Sequence, residues 1–210
     1  MTTTRKKQTE EMKAAVRSAA AALFAERGYQ SVTMREIAKA AGCSHTAIYI
    51  YYKNKEDLLQ QIAIPSLLEL EQRMLDKLEG READPMNVLT GICKEYVTFC
   101  LTNGSFYTVL FAGSVRVDEE DPELAVNRIR NQLFGHLDRA LHLALADRTQ
   151  DNGPEAMINR TRALFFMVQG YVSTYTDHVE PIEAIMERTL PYLDQGIRTL
   201  VEGMIAQIHN

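Results

Sequence analysis

Between Thr33 and Lys55 the chain gathers hydroxyls, an imidazole, phenols and ammonium groups into one short stretch. No nucleophile stands beside a base there, and the chain has no G-x-S-x-G, G-x-x-x-x-G-K, H-E-x-x-H or dinucleotide-type glycine pattern. No enzymatic role and no cofactor are therefore expected. What these groups suit is hydrogen bonding to an anionic polymer. His45 and Thr46 can each bond a base edge or a phosphate, and Ala47 can touch a thymine methyl. Tyr49, Tyr51, Lys53 and Lys55 follow, offering the hydroxyl and ammonium donors that commonly hold phosphates. Metal chemistry is poorly served. His136 and His142 fall on different sides of a helix, and Asp118-Glu-Glu-Asp121 reads as an acidic loop before a helix. Cys43, Cys93 and Cys100 fit neither a zinc site nor a complete disulfide framework, and no metal is expected.

The elements that must position the Thr33–Lys55 groups are legible in capping signals. Thr33 with Glu36 forms a T-x-x-E capping box that opens a short helix, on which Ile37 and Ala41 share a face. Ala38 is small enough for a second helix to cross closely. Gly42 can take the left-handed conformation that ends the first helix, Ser44 caps the next, and Ile48 returns to the shared core. Two short helices joined through a glycine turn make a helix-turn-helix, whose second helix enters the major groove. Thr33 and Ser44, at the two helix starts, complete the candidate DNA-facing set. Tyr52 is expected to pack against the first helix, Asn54 to cap the helix opened by Lys55, and Arg5, Lys6 and Lys7 to form a short basic arm.

A chain of 210 residues with a net charge of -5 would not by itself suggest a nucleic-acid partner. The charge is unevenly placed. Residues 1–60 hold ten basic and six acidic residues, whereas residues 61–210 hold thirteen and twenty-two, giving a basic head on an acidic body. Apolar spacing of three and four predicts an all-α chain with helices at 9–27, 34–41, 45–51, 55–79, 85–102, 105–113, 122–148, 155–177 and 182–207. Asp84 and Asp121 precede prolines and should cap the helices that follow, while Pro65 and Pro191 fall inside helical stretches and should kink or break them. Cys93 and Cys100 share a helix face and should pack as small hydrophobes. With no secretory leader and no apolar run long enough to span a bilayer, a cytoplasmic protein without membrane contact is expected, nucleoid-associated when on DNA.

The segment 163–172 is apolar nearly all round, and Ile185, Leu193 and Leu200 continue a stripe along the last helix. A homodimer pairing these two helices into a four-helix bundle would cover them, with Phe165, Gly170, Ile185, Leu193, Gly196 and Leu200 at the interface. Gly170 and Gly196 would permit close approach.

The stretch from Ala19 to Leu59 resembles the DNA-binding domain of the tetracycline-repressor (TetR) family of bacterial transcription regulators. The likeness rests on Ala20, Leu23, Phe24, Gly28 and Tyr29 in the first helix and its end, and on Thr33, Ile37, Ala38, Ala41, Gly42 and Ser44 in the helix-turn-helix. Tyr49, Tyr52, Lys53, Lys55, Glu56 and Leu58 continue it, while Cys43 and Thr46 stand where an aliphatic residue and glycine are commoner. The resemblance implies a DNA-binding domain over residues 1–54 and a helical ligand-binding and dimerisation domain over residues 55–210. It also implies an effector cavity in the body, for which Tyr96, Phe99, Tyr107, Phe111, Phe134, Phe166 and Gln169 are the candidate lining, with His136 a further polar candidate. Such a cavity would suit an apolar or aromatic small molecule. The expected function is a repressor released from a palindromic operator by that molecule. An activator or ligand-independent regulator with the same head, or a helical scaffold without a DNA role, are the alternatives.

Overall fold

The computed structural model describes residues 2–82, 84–104, 125–145, 153–176 and 180–207. Among them no strand occurs, and eight helices follow in order. These are α1 (Thr2–Arg27), α2 (Met34–Ala40), α3 (His45–Ile48), α4 (Lys55–Glu79), α5 (Pro85–Thr102), α6 (Ala125–Leu145), α7 (Pro154–Tyr175) and α8 (Ile182–Ala206). The helix expected at 105–113 and the cap expected at Asp121 lie outside the described residues.

Local chemistry sets these boundaries. Thr33 and Glu36 form a reciprocal capping box at the start of α2, and the Ala47 amide donates to Ser44 Oγ (3.1 Å) at the start of α3. Asn54 Oδ1 accepts the Asp57 amide at 2.7 Å, while Asp57 Oδ2 accepts the Lys53 amide at 2.9 Å, so α4 opens on a second reciprocal pair. Asp84 caps α5 through the Met86 amide at 3.0 Å. Gly42 has φ +73° and provides the left-handed turn residue between α2 and α3.

Three expectations change. The helix expected from residue 9 begins at Thr2, so Arg5, Lys6 and Lys7 belong to α1 and do not form an extended arm. Of the kink or break expected at Pro65 and Pro191, the break does not occur, since α4 and α8 each run on past them. In both cases the carbonyl that loses its amide donor belongs to an exposed residue, Gln61 or Glu187, where water can replace the bond. Finally, the first unit does not end at residue 54.

The described residues divide into two compact units, one reaching to Ser66 and the other starting at Leu67. The first has its own core of Val16, Ala20 and Phe24 from α1, Ile37 and Ala38 from α2, Ile48, Tyr52, and Leu58 and Leu59 from α4. Leu58 and Leu59 are fully buried there, which moves the boundary past the expected 54/55 into α4.

In the second unit, α8 lays a buried stripe of Ile185, Met186, Leu193, Ile197, Val201 and Met204 against α5 and α7. Thr161 on α7 is fully buried and its hydroxyl donates to Asp138 Oδ1 of α6 at 2.6 Å, satisfying a polar group in an apolar setting. Cys93 and Cys100 are buried on α5, and burial pushes the Cys93 thiol up to about 12 and the Cys100 thiol higher. Both behave as the small hydrophobes their spacing suggested.

Candidate nucleic-acid interface

In the first unit, the surface of the helix-turn-helix is made by side chains that the core leaves over. Ile48 is buried and anchors α3, whereas His45, Thr46 and Lys53 are exposed. Tyr49 is 46% exposed and stands edge-on to His45, with ring centroids 5.3 Å apart and its hydroxyl 3.4 Å from Nε2. The two rings therefore present a joined polar and aromatic edge one helical turn apart. Ile50 was not singled out from the sequence, yet it is 77% exposed on the turn after α3. Its apolar type suggested core; only the tertiary position of the turn shows it outside. Ala47 is half-buried. Ser44 Oγ accepts the cap bond, which leaves its proton available to a partner.

Other candidates are committed internally. The Thr33 hydroxyl donates to Glu36 Oε2 at 2.7 Å and accepts the Glu36 amide, so its role is to start α2. Tyr51 is partly buried against the head core. The Lys55 ammonium donates to the carbonyls of Tyr29 (2.8 Å) and Val32 (2.9 Å) and lies 4.2 Å from the centre of the Tyr29 ring. Burial lowers its pKa. Lys55 thus clamps the connection between α1 and α2. Tyr52 packs on α1 as expected, its hydroxyl donating to the Lys13 carbonyl at 3.1 Å while Arg17 Nη1 donates to that hydroxyl at 3.4 Å.

Glu36 carries a pH signature. Its carboxylate accepts the Thr33 amide at 2.8 Å and the Thr33 hydroxyl, and the Arg27 guanidinium approaches its other oxygen at 2.9 Å. The Thr33 bonds and then Arg27 hold its pKa down, from the ordinary 4.5 to about 2. Between these values the unfolded chain binds more protons than the folded one, so the Glu36 contribution is whole above the ordinary value and is lost as pH falls toward about 2. Denaturant titrations of Glu36→Gln should therefore show lower stability than the parent at neutral pH and a gap that closes across that acid window. A gap independent of pH would show that the capping carboxylate does not act through its charge.

In the second unit, the candidate effector lining sorts differently from its expected arrangement. Phe165, expected at a dimer interface, points inward, with its ring 6.1 Å from Tyr96 and 6.0 Å from Phe134. Phe166, expected in the pocket, is 61% exposed. Adjacent helical residues diverge by about 100°, and an all-round apolar run does not say which one faces in. Tyr96 and Phe99 are buried, and Gln169 Nε2 donates to the Tyr96 hydroxyl at 2.8 Å, tying α7 to α5 beside the Phe165 ring. Tyr107 and Phe111 lie outside the described residues. His136 Nε2 is buried 3.5 Å from Glu71 Oε1 without a hydrogen bond to it.

Of the remaining interface candidates, Ile185 and Leu193 are buried within a single chain, so they are corrected to core. A Cβ on Gly196 would stand 3.6 Å from Met167 Sδ, placing that close approach between α7 and α8 of the same chain. Leu200 is half-buried, whereas Gly170 is exposed with open space above it.

Residues 16–62 match the family model described as bacterial regulatory proteins, tetR family, and cover the first unit's core. The HTH-type transcriptional regulator AcrR of Shigella flexneri is 36% identical over 90 residues, a match spanning 41% of this chain and 40% of that protein. The fatty acid metabolism regulator protein of Bacillus subtilis is 29% identical over 183 residues, covering 85% of this chain and 92% of that protein. The solved structure of the ketosteroid transcriptional regulator of Mycobacterium tuberculosis superposes with a TM-score of 0.61 at 18% identity, covering 88% of this chain and 93% of the other. Residues 16–62 thus resemble the tetR family of bacterial regulatory proteins, and the chain as a whole is similar in fold to the solved regulator. Among the described residues, no helix is long and apolar enough to cross a membrane.

Proposed function

We propose that the chain is a homodimeric transcriptional repressor that binds a palindromic operator through two heads and is released by a small apolar or aromatic effector. The observation that carries this reading is the helix-turn-helix itself, which completes its own core yet leaves His45, Thr46, Tyr49 and Lys53 outside it. Those groups are the donors and acceptors that duplex recognition needs. The partner copy is argued from α7 and α8, where Ile158 (41%), Phe166 (61%) and Tyr192 (70%) stand exposed among residues that are otherwise polar or small. A two-fold bundle of these helices covers them and matches the symmetry of two half-sites.

The effector reading is supported by the aromatic cluster of Tyr96, Phe134 and Phe165, with Gln169 and the Tyr96 hydroxyl as orienting groups. The relatives' names are compatible with it, one being a regulator of fatty acid metabolism and another a ketosteroid regulator. Release requires that the effector prefer a conformation of the dimer whose heads no longer fit both half-sites. To test this, duplexes selected from a random pool by the native chain are challenged with fatty acids, steroids and aromatic acids. The expected result is that an apolar member raises the melting temperature and frees the duplex. If only polar molecules or metal ions shift the melting temperature, the apolar effector is wrong.

Replacing Tyr49 with Ala should weaken binding to the selected duplex about tenfold, the scale of one polar contact to DNA, without moving the melting temperature. Anisotropy titrations and thermal melts read the two quantities separately. Unchanged affinity would remove Tyr49 from the interface.

A further inference from the structure

One buried polar atom of the second unit is left without a bond. His136 Nε2 on α6 has no hydrogen-bond partner, and Glu71 Oε1 of α4 stands 3.5 Å from it. The two side chains are 17% and 20% exposed, so water covers little of either. A neutral imidazole with its proton on Nδ1 meets the carboxylate there as a second acceptor, which burial makes costly. A proton gained on Nε2 turns the same contact into a donor and an acceptor of opposite charge. Among the described residues, Glu71 is the one ionisable partner of His136. The charged groups on the surrounding helices are engaged elsewhere or face water. Glu95 of α5 is paired with Lys77 of α4, Asp138 of α6 accepts from Thr161 of α7, and Asp194 of α8 holds Arg198. Arg139, about one turn along α6, is exposed, as are Lys94 of α5 and Arg162 of α7.

The place of the pair gives that proton a consequence. α4 is one helix, but its residues up to Ser66 belong to the first unit and those from Leu67 to the second. Leu58 and Leu59 are seated in the head core, while Leu67, Leu70 and Met74 are buried beyond the division. Pro65 removes one backbone hydrogen bond just before it. Past that point Lys77 stands 3.8 Å from Glu95, and Glu71 faces His136. The Lys77 contact keeps both charges across the neutral range, whereas the Glu71 contact changes there because its partner is an imidazole.

We infer that His136 and Glu71 form a proton-operated tie between α6 and α4, closed when Nε2 is protonated and slack when it is not, which makes duplex affinity depend on pH. A contact made only by the protonated ring stabilises the folded chain below the imidazole range and is lost as pH rises through it. The tie itself stands apart from the DNA reading of the head; its effect on duplex affinity rests on that reading.

The experiment uses the full chain as the parent, His136→Leu, Glu71→Met and the double variant. Neither replacement introduces a new hydrogen-bonding group. Denaturant titrations are run at about pH 5.5 and about pH 8, either side of the ordinary imidazole value. The double-mutant cycle cancels the titration of the other histidines. The expected coupling between the two residues is about fivefold in the unfolding equilibrium constant at the lower pH and less than about twofold at the higher. Nuclear magnetic resonance of the His136 ring, identified by its absence from His136→Leu, provides a second readout on folded protein. The ring should hold its proton to higher pH in the parent than in Glu71→Met. A coupling that is equal at both pH values, or ring titrations that coincide, overturns the tie. Anisotropy with a duplex selected by the parent then compares affinities at the two pH values. The ratio for the parent should differ from that for Glu71→Met by at least about threefold. Equal ratios overturn the reach of the tie to the head, even with the tie present in the free chain. If the parent binds no duplex, the DNA reading fails, and the tie stands or falls on the cycle and the ring titration.

Discussion

A Phe166→Glu variant should elute as a monomer with native helical content and bind the selected duplex at least about a hundredfold more weakly than the parent. The loss has two parts. A carboxylate placed where an aromatic ring is to be covered by a second copy must be desolvated or must prevent the copies from meeting, and the second is cheaper. A monomer then binds one half-site and forfeits the effective concentration that a linked second head provides, a factor on the order of a hundred to ten thousand. Because Phe166 is 61% exposed in the single chain, the new charge is hydrated in the monomer and its fold is kept. The neighbouring Phe165→Glu supplies the contrast, since its ring lies between Tyr96 and Phe134 and a charge there should unfold the body. A Phe166→Glu chain that remains dimeric by sedimentation would place the interface elsewhere.

The second large effect concerns Lys55. Lys55→Met should destabilise the head by about 2 kcal/mol, because two carbonyls, one on the buried Val32, lose a charged donor and Tyr29 loses its cation. Methionine retains the hydrophobic stem, so the packing cost is small. The expected result is a lower denaturant midpoint, with duplex affinity recovering under conditions that keep the head folded. A phosphate-contacting lysine would behave in the opposite way, with unchanged stability and a shallower salt slope. The two measurements therefore separate a clamp from a contact. Conservation of charge alone should not suffice, since the ammonium's position above the Tyr29 ring depends on its compact head and the length of its stem.

Most of what could be read from the sequence was local. The capping box at Thr33, the left-handed Gly42, the Ser44 cap and the Asn54 cap each involve residues within four positions, and each formed as their types require. The packing of Tyr52 on α1 was also legible, because an aromatic after a short amphipathic helix has few other places to go. Contacts across many residues were not legible. Nothing near Lys55 in sequence shows that its ammonium closes on the carbonyls of Tyr29 and Val32. Likewise, the apolar stripe of Ile185 and Leu193 predicted a covered face but not what covers it, and α5 and α7 of the same chain do so. The same ambiguity hid which of Phe165 and Phe166 turns inward. Periodicity assigns a residue to a face; only packing decides what that face meets.

The three thiols of this chain occupy very different surroundings. Cys93 and Cys100 are sealed within the body, with thiols that burial keeps protonated, while Cys43 is partly open in the turn between α2 and α3. Alkylating reagents act on accessible thiolates, so the folded protein offers them one site. That site lies one residue before the Ser44 cap, beside the surface presented to the duplex. Without any engineered cysteine, the native chain accepts a fluorophore or spin label at the point where occupancy of the head would be felt first.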